Sequence, residues 1–275
     1  MCGRYVMALR AGELSDALET CGLQGAGVVQ EQQPWRLSWN VPPTSTVPIL
    51  VERLEDPQDE ASPLHREIHP ARWGLLPHWA ESDSFSSKTF NARSETVVTK
   101  PSFRSAVRRR RCVVPAQGYY EWELRTDESS GRSVRTPHHI HATENPLMLF
   151  AGLYEWWKDP GRVAAGQDPW VLSTTILTGP SPRPDETGDP ETDSGILTRL
   201  GNLHDRLPLA MDAQTARSWI SPQEASKEAM ESVVEHLRLQ AWEVARGWAM
   251  YEVDRAVGNV SNDRPELIRP TQSLF

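Results

Sequence analysis

The sequence predicts an α+β protein with a single domain, in which a curved, mostly antiparallel and barrel-like β-sheet is flanked by helices. Three observations favour this fold class. The chain has 275 residues, which is enough to bury one large core. Several short apolar runs follow one another in its middle part, a spacing typical of an antiparallel sheet. Segments with helical spacing or helix-capping residues lie on either side of these runs.

The amino-terminal part predicts two helices and two strands. Residues 11–23 are expected to form an amphipathic helix, because their apolar side chains recur at helical spacing on one face, where Cys21 would be a core residue. Apolar runs at 47–51 and 72–76 predict strands. Residues 102–110 predict a helix that presents its arginines to solvent.

The rest of the chain predicts most of the sheet and two further helices. Strands are expected at 112–114, 118–124, 138–142, 147–154, 170–177 and 248–253. Asp212 is expected to cap a helix over 213–220, and Ser221 with Pro222 to start another that runs towards Glu243. Residues 181–195 hold three prolines and five acids, which predicts a flexible acidic insertion. The domain is expected to span residues 2–275.

Composition excludes several classes of protein. No apolar run approaches the roughly 18 residues that a membrane span needs, and the first residues lack the hydrophobic stretch of a signal peptide. We therefore expect a cytoplasmic protein without a membrane partner. The three cysteines have no paired spacing, so reduced thiols are expected rather than a disulfide framework or a zinc ribbon.

The charge pattern is less simple than its average. The net charge is −8, which by itself disfavours a nucleic-acid partner. The stretch 88–111, however, carries eight basic residues and one acidic residue, a local charge of +7. Arginine suits phosphate oxygens and base faces through its planar fork. The sequence thus allows a focused basic patch on an acidic body.

Cys2 is the most informative residue. If the initiator methionine is removed, Cys2 carries a free α-amine beside its thiol. Such a 1,2-aminothiol can act as an acyl-transfer nucleophile with the amine as its base. It can also condense with an aldehyde to an imine, onto which the thiol closes as a thiazolidine. A cysteine that stands second by chance is the third alternative.

Three further segments carry candidate groups. Asn91 and Arg93 in FNARSET project on the same side if the chain is extended there. Glu121 lies between Tyr120 and Trp122, where partial desolvation would raise its pKa towards general acid and base work. His204 in NLHDRLPL could shuttle protons near neutral pH. Each segment also has a plain structural reading, as a polar loop, an exposed strand carboxylate and a loop histidine.

Two other features suggest ligands more weakly. The run HHIH at 138–141 places His139 and His141 on one face of a strand, but two histidines without a nearby acid make a poor metal site, and we predict neither a metal nor a cofactor. Most of the eleven tryptophans should lie in the core. Trp79, in the loop LLPHWAES, could offer a stacking platform for a base.

Six motifs taken together resemble the SRAP family, the SOS-response-associated peptidases. They occur in the family's order and span nearly the whole chain: MCGRY, WGLLPHW, FNARSET, RCVVPAQGYYEW, LHDRLP and RAVGNV. The resemblance implies a sensor that binds single-stranded DNA and forms a covalent thiazolidine crosslink between Cys2 and an abasic site. It also implies self-removal of the initiator methionine and lyase-like action through the imine.

The resemblance further implies roles for individual residues. Asn91 would hold the sugar and amine, Glu121 would assist proton transfers, and His204 would assist ring opening and crosslink reversal. Single-stranded DNA, including single-strand/double-strand junctions, would be bound by Arg4, Pro43, Trp79, Arg93 and Arg206. The protein would be a monomer, associated with the nucleoid when bound to DNA. An amino-terminal nucleophile amidohydrolase of the glutaminase type and a non-covalent reader of modified DNA are the alternatives.

Overall fold

The computed structural model describes residues 2–29, 34–56, 58–59, 61–126, 131–183 and 195–271. Most of the predicted acidic insertion at 181–195 lies outside the described residues. The helices are α1 (Ala11–Thr20), α2 (Ala106–Arg109), α3 (Pro160–Ala164), α4 (Ile196–Leu203), α5 (Ala213–Trp219) and α6 (Lys227–Ala245). None of the described helices is both long enough and apolar enough to cross a membrane.

Fourteen strands are present in the part of the chain that the structure describes. They are β1 (Tyr5–Met7), β2 (Ala26–Val28), β3 (Ser38–Val41), β4 (Thr46–Leu54), β5 (Leu64–Trp73), β6 (Asn91–Arg93), β7 (Arg111–Ala116), β8 (Gly118–Thr126), β9 (Ser133–Ala142), β10 (Met148–Lys158), β11 (Trp170–Pro180), β12 (Arg206–Pro208), β13 (Ala210–Met211) and β14 (Trp248–Glu252).

Five of these strands close into a barrel. Strands β5, β4, β7, β10 and β11 pair in that order, all antiparallel, and the parallel pairing of β11 with β5 at Ser173 and Arg72 completes the ring. The short strand β6 pairs in parallel with β11 beyond this point, placing Asn91 opposite Ile176. The predicted curved, mostly antiparallel sheet with flanking helices is thereby confirmed.

A second sheet of five strands continues from the barrel. Its order is β14-β9-β8-β1-β3, and every neighbouring pair is antiparallel. Strand β8 follows β7 after the single residue Gln117, so the chain passes directly from the barrel into this sheet. Tyr5 of β1 pairs with Tyr119 of β8, which brings the amino-terminal segment alongside the strand that carries Glu121.

Two helix predictions need correction, and the buried Arg111 explains the second. The helix predicted over 102–110 is restricted to α2, and it does not present all its arginines to solvent. The buried Arg111 guanidinium donates to the backbone carbonyl oxygens of Val107, Arg108, Trp219, Ser221 and Gln223. These bonds hold the segment after α5 as a loop, so the next helix begins after the cap Ser226 rather than at Ser221 and Pro222.

Candidate active site

Cys2 lies inside the protein, directly before β1. Its side chain is fully buried. Its thiol faces the backbone oxygen of Arg4, with Sγ and O 3.9 Å apart. Burial raises the pKa of the Cys2 thiol, and the nearby Glu121 carboxylate raises it further. The thiol is therefore protonated at neutral pH in this arrangement.

Asn91 reaches Cys2 from the barrel. Its Nδ2 donates to the backbone oxygen of Cys2 at 2.8 Å. Its Oδ1 is buried and has no hydrogen-bond partner among the described residues. Burying an amide oxygen without a hydrogen-bond partner costs free energy, and a donor on a bound ligand would remove this cost. The amide can therefore orient a group at Cys2 and accept a hydrogen bond there.

Glu121 projects from β8 and is buried. Burial raises the pKa of its carboxyl group, while His204 lowers it in part. A carboxyl group with a raised pKa can exchange a proton near neutral pH more readily than an exposed one. The pairing of β1 with β8 brings the strand of Glu121 alongside the segment of Cys2, and the carboxylate raises the pKa of the thiol.

His204 ends α4 and completes the cluster. Its Nε2 lies 3.8 Å from Oε1 of Glu121, beyond hydrogen-bond distance. Its Nδ1 accepts from the backbone N–H of Arg206 at 3.0 Å and also lies 2.8 Å from Oδ1 of Asp205. These two contacts require opposite tautomers. The backbone contact should prevail, because the Asp205 side chain is 85% exposed and water screens its charge; the Nε2–H then faces Glu121.

The arginines expected to contact DNA have three different environments. Arg93 is exposed at the end of β6. Arg4 is half-buried and donates to Oδ1 of Asn40 at 2.8 Å and to the backbone oxygen of Val257 at 3.1 Å. Arg206 is largely buried and held by a carboxylate, that of Glu95. The structure thus leaves Arg93 most accessible of the three.

Trp79 and Pro43 lie in loops. Trp79 is 46% exposed, and its ring packs edge-on against Phe85 with centroids 5.2 Å apart. Pro43 is partly exposed in the turn between β3 and β4. An exposed indole held by a second ring can serve as a stacking surface.

Two contributors were not singled out from the sequence. Asn40 donates to the backbone oxygens of Val257, Asn259 and Asn262 and accepts from Arg4, so it ties the RAVGNV segment to the start of β1. Glu95 binds Arg206 with both carboxylate oxygens. Glu95 stands in FNARSET, two residues after Arg93, so the motif itself could have indicated it. Asn40 carries no comparable local signal.

The predicted basic patch is smaller than its sequence suggests. Arg111 is buried, Arg110 is paired with Glu155 at 2.6 Å, and Arg108 and Arg109 both contact Glu224. The exposed cations of the stretch outside these contacts are Lys88, Arg93, Lys100 and Arg104. Four of the eight basic residues in this stretch are therefore bound by other parts of the protein.

Comparison with known proteins places the chain in a family. The model of the SOS response associated peptidase (SRAP) family matches residues 1–260. The abasic site processing protein YoqW of Bacillus subtilis is 28% identical over 98% of this chain and 99% of that protein. The abasic site processing protein HMCES of Gallus gallus is 29% identical over 99% of this chain and 78% of that protein.

A solved structure shares the fold. A crystal structure of a protein from Bacteroides thetaiotaomicron superposes with a TM-score of 0.66 at 20% identity, covering 98% of this chain and all of that one. Because the family model spans nearly the full length, the chain belongs to the SOS response associated peptidase family.

Proposed function

We propose that this protein processes abasic sites in DNA, and that Cys2 captures such a site in single-stranded DNA as a covalent thiazolidine. One observation carries the proposal: the Asn91 amide binds the backbone of Cys2, the Glu121 carboxylate acts on its thiol, and the His204 imidazole lies 3.8 Å from Glu121. Relatives along the full length are named for abasic site processing. The lesion supplies the aldehyde that an aminothiol captures.

The proposed reaction has two steps. The α-amine of Cys2 attacks C1′ of the ring-opened sugar and loses water to give an imine. The thiol sulfur then adds to the imine carbon while its proton passes to the nitrogen, so water is the only product released. Asn91 would hold the sugar and amine, Glu121 would carry the protons, and His204 would assist ring opening and reversal.

The reaction requires that Met1 be removed first. In a self-cleavage, the Cys2 thiol would attack the Met1 carbonyl, the peptide C–N bond would break and the amine would take the thiol proton. Water would then hydrolyse the thioester and release methionine. The family name is consistent with this peptidase step. The lyase-like activity would arise if the imine lost a proton from C2′ instead of being closed by the thiol; the C3′–O bond would then break and the 3′ phosphate would leave.

Non-covalent binding would rest on phosphate neutralisation and stacking. Arg93 is the exposed cation nearest in sequence to Asn91. Arg4, Arg206, Trp79 and Pro43 complete the proposed DNA contacts, at single strands and at their junctions with duplex. Such binding is tolerant of sequence and weakens with salt. We further propose a cytoplasmic monomer that associates with the nucleoid when bound.

Adduct formation tests the proposal directly. Purified protein is incubated with a uracil-containing single strand treated with uracil glycosylase, and the product is followed by a heat-stable gel shift and by intact mass. Wild type and Cys21→Ala, which removes another buried thiol, should form the adduct; Cys2→Ala should not. Cys2→Ser should form at most a labile imine, because a hydroxyl closes the ring poorly.

The alternatives have their own outcomes in the same experiment. Equal affinity of wild type for abasic and intact strands without any adduct would contradict the proposal and favour a non-covalent reader. Hydrolysis of glutamine without an adduct would favour the amidohydrolase. Crosslinking by Cys2→Ala at the wild-type rate would show that another residue captures the lesion.

A further inference from the structure

Glu95 and Arg206 form a bidentate ion pair beside the proposed site. Nη1 and Nη2 of Arg206 donate to Oε1 and Oε2 of Glu95 at 2.7 and 2.8 Å. The Arg206 side chain is only 9% exposed, and that of Glu95 is 38% exposed. Bidentate pairs of this kind are stronger and more directional than single contacts.

The pair joins three strands. Nη2 of Arg206 also donates to the backbone oxygen of Thr178 on β11 at 2.8 Å. The same oxygen accepts from the backbone N–H of Ser94 at 2.9 Å. Thr178 pairs with Arg93 of β6 on one side and with Pro208 of β12 on the other. Glu95 therefore links the end of the strand that carries Asn91 to the strand that follows His204.

The link reaches the imidazole through the backbone. The N–H of Arg206 is the group that donates to Nδ1 of His204. Fixing the Arg206 side chain therefore fixes the peptide that orients the ring towards Glu121. A shift of 1 Å in a reacting group can cost about a hundredfold in rate.

We propose that Glu95 is a positioning residue for adduct formation. It binds Arg206 and thereby fixes the positions of the His204 and Asn91 side chains relative to Cys2. This inference rests on the proposed function. It gives Arg206 a role inside the protein in addition to the DNA contact proposed above. If Arg206 had only the role of a DNA contact, Glu95 would compete with DNA for the guanidinium.

The test variant is Glu95→Gln, which keeps the shape and loses the charge. Its matched control is Glu235→Gln, which breaks an exposed ion pair on α6, that of Glu235 and Arg238. Two constants are measured: the dissociation constant for an intact single strand, and the rate constant of adduct formation at saturating abasic strand. Glu95→Gln should lower the rate constant by about tenfold to a hundredfold while the dissociation constant changes less than about twofold.

Two further measurements separate positioning from loss of folding. Glu95→Asp keeps the charge and should recover part of the lost rate. The imidazole ¹⁵N chemical shifts of His204 should change in Glu95→Gln and remain unchanged in Glu235→Gln, whether or not the protein forms adducts. Adduct formation by the wild type reports separately on the proposed function.

The inference is wrong if the His204 shifts of Glu95→Gln match those of the wild type. It is also wrong if that variant binds intact DNA more tightly and forms the adduct at the wild-type rate, because Glu95 would then be a competitor for Arg206.

Discussion

Glu121 shows how the burial of a side chain can be predicted for an incomplete reason. The sequence indicated desolvation because aromatic residues flank it, and Glu121 is indeed buried. On a strand, however, neighbours in sequence point to the opposite face. Tyr120 packs with Val6 and Val253 in a separate cluster on that face. Among the described side chains that act on or respond to Glu121 are Cys2 and His204, which come from distant parts of the chain.

Glu121 should be one of two groups that shape the acid side of the pH profile of adduct formation, the other being the attacking α-amine of Cys2. Burial raises the pKa of its carboxyl group, so the rate should fall as the pH drops through that raised value and the proton-accepting carboxylate is lost. Glu121→Gln should remove the Glu121 contribution, leave only the fall caused by protonation of the α-amine, and lower the rate by about a hundredfold or more. The rate constant is measured by gel shift between about pH 4.5 and 8.5, a range that spans the usual carboxyl and α-amine values.

The control for this prediction lies two residues along the same strand. Glu123 is partly exposed and paired with Arg125 at 2.6 Å. Glu123→Gln should leave the acid limb in place. An unchanged limb in Glu121→Gln would assign it to another group.

At the scale of elements, a helix or strand could be predicted when the residues that determine it are close together in the sequence. Asp212 caps α5 as expected, because its carboxylate accepts from the backbone N–H of Thr215 three residues on. The cap at Ser221 failed because Arg111, more than a hundred residues earlier, binds its carbonyl oxygen. Strand β6 has three residues and exists through pairing with β11, so its sequence alone carries too little information.

Gly74 is an element-scale position where any side chain should disrupt the fold. It follows β5 with φ +136° and donates its N–H to the backbone oxygen of Thr174 at 2.8 Å. A Cβ there would collide with the backbone of Ser86. Gly74→Ala should therefore lower the free energy of unfolding by about 3 kcal/mol or more, because strain and steric overlap combine. Urea denaturation measures this loss.

Gly12 provides the contrasting substitution. It lies exposed in α1, and a Cβ there would meet nothing within 4 Å. Gly12→Ala should raise the stability by about 0.5 kcal/mol, because alanine restricts the unfolded chain and suits a helix. A Gly74→Ala protein as stable as wild type would show that the loop at Ser86 can move aside without cost.

At the scale of the whole molecule, the sequence predicted the class of fold and pointed to Asn91 and Glu121, which lie near Cys2, but it predicted neither the closure of the barrel nor the distribution of free charge. Closure depends on the parallel pairing of β5 with β11, which are about a hundred residues apart and carry no local mark of each other. The distribution of charge depends on partners such as Glu155 and Glu224, which neutralise arginines far from them in sequence. Residue counts cannot reveal either.

Few exposed cations should therefore attract DNA, and Arg93 should contribute most among them. The molecule has a net charge of −8, and Arg93 stands exposed two residues after Asn91. If Arg93 contacts one phosphate of a single strand, Arg93→Ala should reduce the slope of log K against log salt by about 0.7. Affinity should fall to a similar extent for all sequences. Fluorescence anisotropy with intact strands at several salt concentrations measures both quantities.

Arg135→Ala is the matched control, because it removes the same charge from an exposed position on β9. Both variants change the net charge equally, so a general field effect would reduce the salt slope in both by the same amount. A local phosphate contact reduces it only in Arg93→Ala. Equal slopes of log K against log salt for the two variants would show that Arg93 does not contact a DNA phosphate.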